Sequence, residues 1–260
     1  MILNLDGYFE SRPRFGHGLP AHPQLLRTIE ARRQVYCGHL TASLQYLPQL
    51  VRIPMDRTYW LNDQFSGLDS LALYYFVASR QPTRIIEIGS GHSTCFARRA
   101  IDDQGLRTRL ISIDPEPRTG IDQLCHEVIR KRLEECDLSF TDDVGEKDIV
   151  FLDGSHRCFM NSDVTVFFLE VLPRLRPGVL VHVHDVYLPF DYPAEIANRY
   201  YSEQYLLACH ILGGGLKVRV ELPNAYISQD ADLHGVLKPF WESTQMRGAI
   251  PHGVSFWFTA

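Results

Sequence analysis

Hydrophobic and polar positions follow different patterns before and after residue 80. Residues 22–50 and 67–79 carry apolar side chains at helical spacing, and prolines separate several of these pieces. From residue 84 onward, short apolar runs alternate with amphipathic segments, which is typical of β–α units around a mostly parallel sheet. We therefore expect an N-terminal helical extension over residues 1–80, forming a cap or lid, and an α/β domain over residues 81–260.

The apolar runs and amphipathic stripes predict individual elements. Strands are predicted at Arg84–Ile88, Leu110–Ile113, Asp148–Leu152 and Gly178–Val183, with a weaker candidate at Leu138–Phe140. Helices are predicted at His92–Asp103, Ile121–Cys136 and Asn161–Leu175. Two more strand-like runs, Leu216–Ile227 and Val254–Thr259, have no long helix clearly between them, so we expect an antiparallel pair at the sheet edge. The predicted fold is Rossmann-like and doubly wound, with a mostly parallel seven-stranded sheet and an antiparallel C-terminal edge strand.

Composition and charge restrict the classes of function. The chain has 260 residues, of which 45% are hydrophobic, and a net charge of -5, which argues against a dedicated nucleic-acid binder. Its six cysteines form no C-x-x-C pair, so neither a zinc knuckle nor a disulfide framework is indicated. The first ten residues do not resemble a leader, and no apolar run is long enough to span a bilayer. We expect a soluble cytoplasmic protein that acts on a small molecule; a homo-oligomer is compatible with the sequence.

A glycine turn follows the first predicted strand in the stretch RIIEIGSGHSTCFARR, residues 84–99. A strand that ends in G-x-G and leads into a helix presents backbone N–H groups and a positive helix end to a ligand. The third glycine of the dinucleotide fingerprint would be residue 94, which is Thr94, and this argues against a nicotinamide cofactor. Asp114 ends the next predicted strand, where its carboxylate can bind a ribose; alternatively, Asp114 starts a turn with Pro115.

Acidic and histidine residues follow two other predicted strands. Asp153 and His156 follow one strand, and His184 and Asp185 end the other. Because ligands bind at the carboxyl ends of parallel strands, we expect these four side chains at one pocket mouth. Two carboxylates and two imidazoles can hold a divalent cation. His184 could instead order the Asp185 loop through a hydrogen bond, and His182 is expected to be a buried core residue.

Taken together, the motifs resemble those of a known enzyme family. The segments EIGSGHST (87–94), ISIDP (111–115), FLDGSH (151–156) and PRLRPGVLVHVHD (173–185) resemble class I S-adenosylmethionine-dependent methyltransferases. The resemblance is to the small-molecule branch with a D-G-S-H motif, which includes metal-dependent sugar and macrolide O-methyltransferases. It covers most of residues 84–260. It implies S-adenosylmethionine as the cofactor and O-methylation of a small molecule such as a sugar or secondary metabolite, with N-methylation as the alternative.

The resemblance also implies roles for individual residues. His156 would be the general base, and Asp153 would be a second catalytic residue. His184 stands where the related enzymes have an acid, so the implied metal is Mg²⁺ or a transition metal bound by Asp153, His184 and Asp185. The cofactor would be bound by Glu87, Gly89, Ser90, Gly91, Ser93, Asp114 and Asp153.

The chemistry of methyl transfer agrees with this assignment, although other functions remain open. Displacement at a sulfonium methyl group requires alignment of the acceptor oxygen and removal of its proton, which a neutral His156 can accept. One alternative is a metal-dependent enzyme of another reaction type on the same fold, such as a hydroxylase-like enzyme. The others are an NAD-dependent dehydrogenase and a non-catalytic cofactor-binding protein. Acceptor specificity is expected to lie in the helical extension and in residues 187–192.

Overall fold

One sheet of seven strands forms the centre of the computed structural model, which describes residues 11–117, 120–214 and 218–260. The strands are β1 (Arg84–Ile88), β2 (Arg109–Ile113), β3 (Glu127–Ile129), β4 (Ile149–Leu152), β5 (Leu180–Val183), β6 (Arg219–Pro223) and β7 (Phe256–Thr259). Their order across the sheet is β3-β2-β1-β4-β5-β7-β6. The first five strands pair in parallel, whereas β7 is antiparallel to both β5 and β6. The predicted fold, including the antiparallel C-terminal strand in the edge pair, is confirmed.

Two of the predicted helices, His92–Asp103 and the segment that begins at Asp163, are present in the structure. The α-helices are α1 (Pro23–Glu30), α2 (Arg33–Ser43), α3 (Leu47–Leu50), α4 (Gly67–Arg80), α5 (His92–Asp103), α6 (Asp163–Val166), α7 (Glu203–Gly213), α8 (Asn224–Gln229), α9 (Ala231–Val236) and α10 (Lys238–Trp241). α5 has the predicted bounds. α6 continues into a π-helical turn at Phe167–Val171 and a 3₁₀ turn at Leu172–Arg174, so the predicted helical segment is also confirmed.

Three predicted elements differ from the structure. The helix predicted at Ile121–Cys136 is wrong: this segment contains β3, which pairs with β2, between two short 3₁₀ turns. Pairing with the sheet edge has overridden the helical spacing, and the β-branched residues of β3 favour this outcome. The weak strand candidate at Leu138–Phe140 is a 3₁₀ helix, Leu138–Asp143, whose N-cap is the Asp137 side chain.

The strand-like run predicted at Leu216–Ile227 is correct only in part. β6 ends at Pro223 and α8 follows it directly, so the last four residues of the run are helical. Residues 216 and 217 lie outside the described part of the chain. The described α-helices between β6 and β7 are the short α8, α9 and α10, which agrees with the expectation of no long helix there. α7, which was not predicted, lies before β6.

The N-terminal helices and the sheet share one hydrophobic core. Leu25, Leu40 and Trp60 belong to the same cluster of buried residues as Phe151 of β4 and Trp257 of β7. Residues 67–78 of α4 are all buried. The division into two domains near residue 80 stays a prediction. In the ranges that the structure describes, no helix combines the length and the apolar composition needed to cross a membrane.

The three central strands determine where functional residues can lie. β1, β4 and β5 are adjacent and parallel, and Leu152 pairs with both Ile88 and Val183. The residues that follow these positions therefore leave the sheet side by side at one edge. Two of them are Gly89 and Asp153, and the sequence analysis assigned both to one site.

Candidate active site

A cavity of about 560 Å³ opens at the carboxyl ends of β1, β2 and β4. This volume is in the range of small-molecule binding sites. The walls include Gln64 and Phe65 from the N-terminal region and Leu133 from the segment after β3. The predicted site residues in its wall are Gly89, Ser90, Gly91, Ser93, Asp114, Asp153 and His156. The structure thus brings the glycine turn, the acid after β2 and the D-G-S-H loop to one cavity.

The glycine turn packs against the end of β4. Gly89 has a φ of 81°, and a Cβ atom at this position would lie 1.8 Å from the carbonyl oxygen of Asp153. Gly89 is therefore required for the close contact between the ends of β1 and β4. The hydroxyl of Thr94 accepts a hydrogen bond from the Gly91 N–H at 3.0 Å, so the residue that departs from the dinucleotide fingerprint caps α5.

Asp114 connects the end of β2 to the glycine turn. Its Oδ2 accepts hydrogen bonds from the Ser90 N–H at 2.9 Å and from the Ser90 hydroxyl at 3.1 Å. Its Oδ1 accepts a bond from the Glu116 N–H at 2.8 Å, as in an Asp-initiated turn. The interpretation of Asp114 as the start of a turn is therefore confirmed. The residue also lines the cavity, and its binding of a ribose stays a prediction.

Glu87 lies under the glycine turn and is not in the cavity wall. Its side chain is fully buried, and neither carboxyl oxygen has a hydrogen-bond partner in the structure. Burial raises the pKa of Glu87 to about 7, although the nearby hydroxyls of Thr94 and Ser93 act to lower it. Glu87 can therefore influence a ligand in the cavity only indirectly, through the glycine turn.

Asp163 holds the D-G-S-H loop in place from the first residue of α6. Its Oδ2 accepts a hydrogen bond from the Ser155 N–H at 2.7 Å, and a Cβ atom at position 154 would lie 2.0 Å from the same oxygen. The loop then reaches His156 with a φ of 62°, a left-handed conformation that histidine adopts more readily than most residues. Asp185, at the end of the neighbouring strand, has a φ of 53°. Such conformations are often found at functional sites.

Four predicted side chains meet beside the cavity. His156 Nε2 lies 3.4 Å from Asp153 Oδ1 and 3.6 Å from Asp185 Oδ2. His184 Nδ1 lies 3.5 Å from Asp153 Oδ1 and 3.7 Å from Asp185 Oδ1. Each imidazole therefore faces both carboxylates, so the four side chains are brought together as expected. Asp153 and His156 line the cavity, whereas His184 and Asp185 do not belong to its wall.

Two buried carboxylates that were not predicted from the sequence complete this cluster. The Oε1 atom of Glu203, the first residue of α7, lies 2.6 Å from His156 Nδ1. The Oδ2 atom of Asp69 in α4 lies 3.5 Å from His184 Nε2, an ion-pair distance without hydrogen-bond geometry. Both carboxylates are fully buried. One feature of the sequence could have indicated them: each is an acid within a mostly apolar helical run, and such an acid is rarely buried unless its charge is paired.

The carboxylates favour protonated imidazoles. Burial lowers the pKa of His156, but Glu203, Asp153 and Asp185 together raise it to about 9. The pKa of His184 lies well above its usual value because the surrounding carboxylates outweigh burial. Burial acts to raise the pKa of Asp153, yet the positive charge of His184 holds it below its usual value.

The predicted metal ligands Asp153, His184 and Asp185 lie close together, but they do not form a metal site as placed. Across the described residues, no group of three or more His, Cys, Asp or Glu side chains is arranged to hold a metal ion. The other ring nitrogen of His184 faces Asp69. His182 is buried as expected, where it stacks on Phe151 with ring centroids 3.7 Å apart.

Comparison with known proteins identifies one family model, described as a methyltransferase domain, that matches residues 86–186. No curated protein matches the chain. One similar solved structure is the Podospora anserina methyltransferase PaMTH1 with bound SAH, at 17% identity and a TM-score of 0.44, covering 79% of this chain and 93% of that one. Another is the O-methyltransferase from Bacillus cereus in complex with SAH, at 16% identity and a TM-score of 0.45, covering 86% and 91%.

Proposed function

We propose that this chain, whose residues 86–186 match a methyltransferase-domain model, is a class I S-adenosylmethionine-dependent methyltransferase. It methylates a hydroxyl oxygen of a small molecule, with His156 as the general base. The observation that carries this proposal is the shared cavity, whose wall contains both the glycine turn and His156. A cofactor bound at the turn would then be next to a group that can remove a proton. A sugar or a secondary metabolite is the acceptor class that we propose.

The cavity residues are suited to bind the two ends of the cofactor. S-adenosylmethionine supplies a methyl group on a positively charged sulfur. We propose that Gly89, Ser90, Gly91 and Ser93 bind its amino-acid end, and that Asp114 binds the ribose with the lone pairs that its contacts to Ser90 and Glu116 leave available. Asp153 adds a negative charge near the sulfonium, while Glu87 supports the turn from below.

His156 is positioned to accept a proton on its Nε2 atom. This nitrogen faces the carboxylates of Asp153 and Asp185. We propose that the acceptor hydroxyl binds beside them. Because the pKa of His156 is raised to about 9, the ring is mostly protonated at neutral pH and must lose that proton before it can act as a base. Turnover should therefore rise with pH up to about 9.

A divalent cation at Asp153, His184 and Asp185 remains a separate proposal from the sequence resemblance. The three side chains do not fit a metal ion in their present arrangement, so no step above depends on one. Elemental analysis of the purified protein, together with turnover measured before and after EDTA treatment, tests this proposal. One equivalent of metal and loss of turnover in EDTA would support it.

The experiment on the proposed function combines binding with turnover. Calorimetry should show binding of SAH and no binding of NAD. Transfer of tritiated methyl groups from S-adenosylmethionine to a panel of sugars, catechols and other hydroxyl compounds should identify an acceptor. His156→Ala should bind SAH like the wild type and lose about 10²- to 10⁴-fold in kcat, which is the usual contribution of a general base.

A matched control is His126→Ala, at an exposed histidine that contacts the Leu110 N–H near the start of β2, away from the site. This variant should retain the wild-type kcat. Unchanged turnover in His156→Ala would remove His156 from the mechanism. Tight binding of NAD without binding of SAH would contradict the cofactor assignment.

A further inference from the structure

Three consecutive residues, Tyr201 to Glu203, contact His156. Tyr201 stacks on the imidazole, with ring centroids 4.4 Å apart and an interplanar angle of 29°. The Ser202 N–H donates to the His156 carbonyl at 2.8 Å. Glu203 Oε1 lies 2.6 Å from the Nδ1 atom. One short segment therefore fixes the backbone, the ring plane and one ring nitrogen of the same histidine.

Glu203 contributes a buried carboxylate to this contact. Its side chain is fully buried, and its second oxygen has no hydrogen-bond partner in the structure. A buried carboxylate is costly unless it is paired. Among the described residues, the Glu203 side chain forms its hydrogen bond with His156. The position of Glu203 at the start of α7 adds a favourable interaction with the helix dipole.

This geometry determines which ring nitrogen carries the proton in the neutral form. A carboxylate accepts hydrogen bonds, so Nδ1 must donate its N–H to Glu203. The lone pair is then on Nε2, the nitrogen that faces Asp153 and Asp185. The other tautomer would place a lone pair against the carboxylate and would leave Nε2 unable to accept a proton.

We propose that Glu203 is a positioning residue, which holds His156 in the Nδ1–H tautomer and directs Nε2 toward the acceptor hydroxyl. This inference rests on the proposed role of His156 as the base. Tyr201 and Ser202 support the same geometry through the ring plane and the backbone. The segment Tyr201–Glu203 therefore belongs to the active site, although the sequence analysis placed no functional residue there.

The first test measures the tautomer and needs no acceptor. Nitrogen-15 NMR of histidine-labelled protein at pH 10, with His156 assigned from the His156→Ala spectrum, should show a protonated Nδ1 and an unprotonated Nε2. In Glu203→Gln, the carboxamide can accept from one tautomer and donate to the other, so a mixture of tautomers should appear. A wild-type spectrum with the proton on Nε2 would overturn the proposal without any variant.

The second test separates positioning from folding. Glu203→Gln should lower kcat by about 10- to 100-fold, and it should leave the KM for S-adenosylmethionine and the Kd for SAH unchanged. Glu195→Gln, at an exposed acid in the preceding 3₁₀ helix, is the matched control and should behave like the wild type. Wild-type kcat in Glu203→Gln would contradict the proposal. Wild-type kcat in His156→Ala would instead contradict the proposed function.

Discussion

Asp69 should make a large contribution to stability because it accepts hydrogen bonds from two distant parts of the chain. Its Oδ1 accepts from Asn224 Nδ2 at 2.8 Å and from the Ser255 N–H at 2.8 Å. The Val254 N–H bonds both carboxylate oxygens at 3.0 Å. Asp69 also faces His184. This one carboxylate thus joins α4 to the residues that precede β7 and to the cluster at the end of β5.

The substitution Asp69→Asn keeps the size of the side chain and removes its charge. A hydrogen bond to a charged group is worth about 1 kcal/mol more than a neutral one, so the three bonds to Oδ1 together should weaken by about 3 kcal/mol. The shift in the pKa of Asp69 gives a similar free energy. Burial acts to raise it, yet His184 and the hydrogen bonds lower it from 3.8 to about 2, which corresponds to about 2 kcal/mol. We therefore expect a loss of about 2 to 4 kcal/mol in the free energy of unfolding.

Urea unfolding at pH 7 measures this loss. The pKa of Asp69 is lower in the folded state, so its contribution is present above pH 3.8 and disappears as the pH falls through about 2. The difference between variant and wild type should therefore be constant from pH 5 to 8. Asp232→Asn, at an acid whose side chain is 88% exposed, should change stability by less than about 1 kcal/mol. A difference below 1 kcal/mol for Asp69→Asn would refute the argument.

Two further substitutions test the glycine turn and the acid beneath it. Glu87→Gln should be more stable than the wild type at pH 8 and should lose this advantage near pH 4.5. The pKa of Glu87 rises from 4.5 to about 7 on folding, so ionisation of Glu87 destabilises the folded protein as the pH rises through this range. The loss is at most about 3 kcal/mol. Equal pH dependence of the two proteins in thermal melts would contradict this expectation. Gly89→Ala should lose at least about 2 kcal/mol of stability and weaken SAH binding, because a Cβ atom would overlap the Asp153 carbonyl. Wild-type affinity for SAH in calorimetry would show that the turn can shift without an effect on cofactor binding.

The sequence predicted those parts of the fold that depend on local pattern. α5 and the parallel strands β1, β2, β4 and β5 were found because apolar runs and helical spacing are properties of short segments. β3 was missed because its conformation depends on pairing with β2, which helical spacing in the segment does not reveal. The 3₁₀ helix at Leu138–Asp143 was missed because a capping aspartate, and not an apolar alternation, determines it.

In the candidate site, too, the residues next to predicted strands could be found from the sequence, whereas a residue brought in by packing could not. Asp153, His156, His184 and Asp185 were brought together by a simple rule, since they follow adjacent parallel strands. Glu203 is 47 residues from His156, and no spacing links the two. Their contact depends on how α7 packs, which only the three-dimensional structure shows.

The location of Asp69 has a consequence for how this protein can be divided or recombined. The family match covers residues 86–186, yet the buried partner of His184 comes from α4 and that of His156 from α7. A fragment cut to the matched residues would retain both imidazoles and lose both of these counter-charges. Chimeras that exchange the N-terminal helices between relatives should accordingly be designed with residue 69 and residue 184 inherited from the same parent.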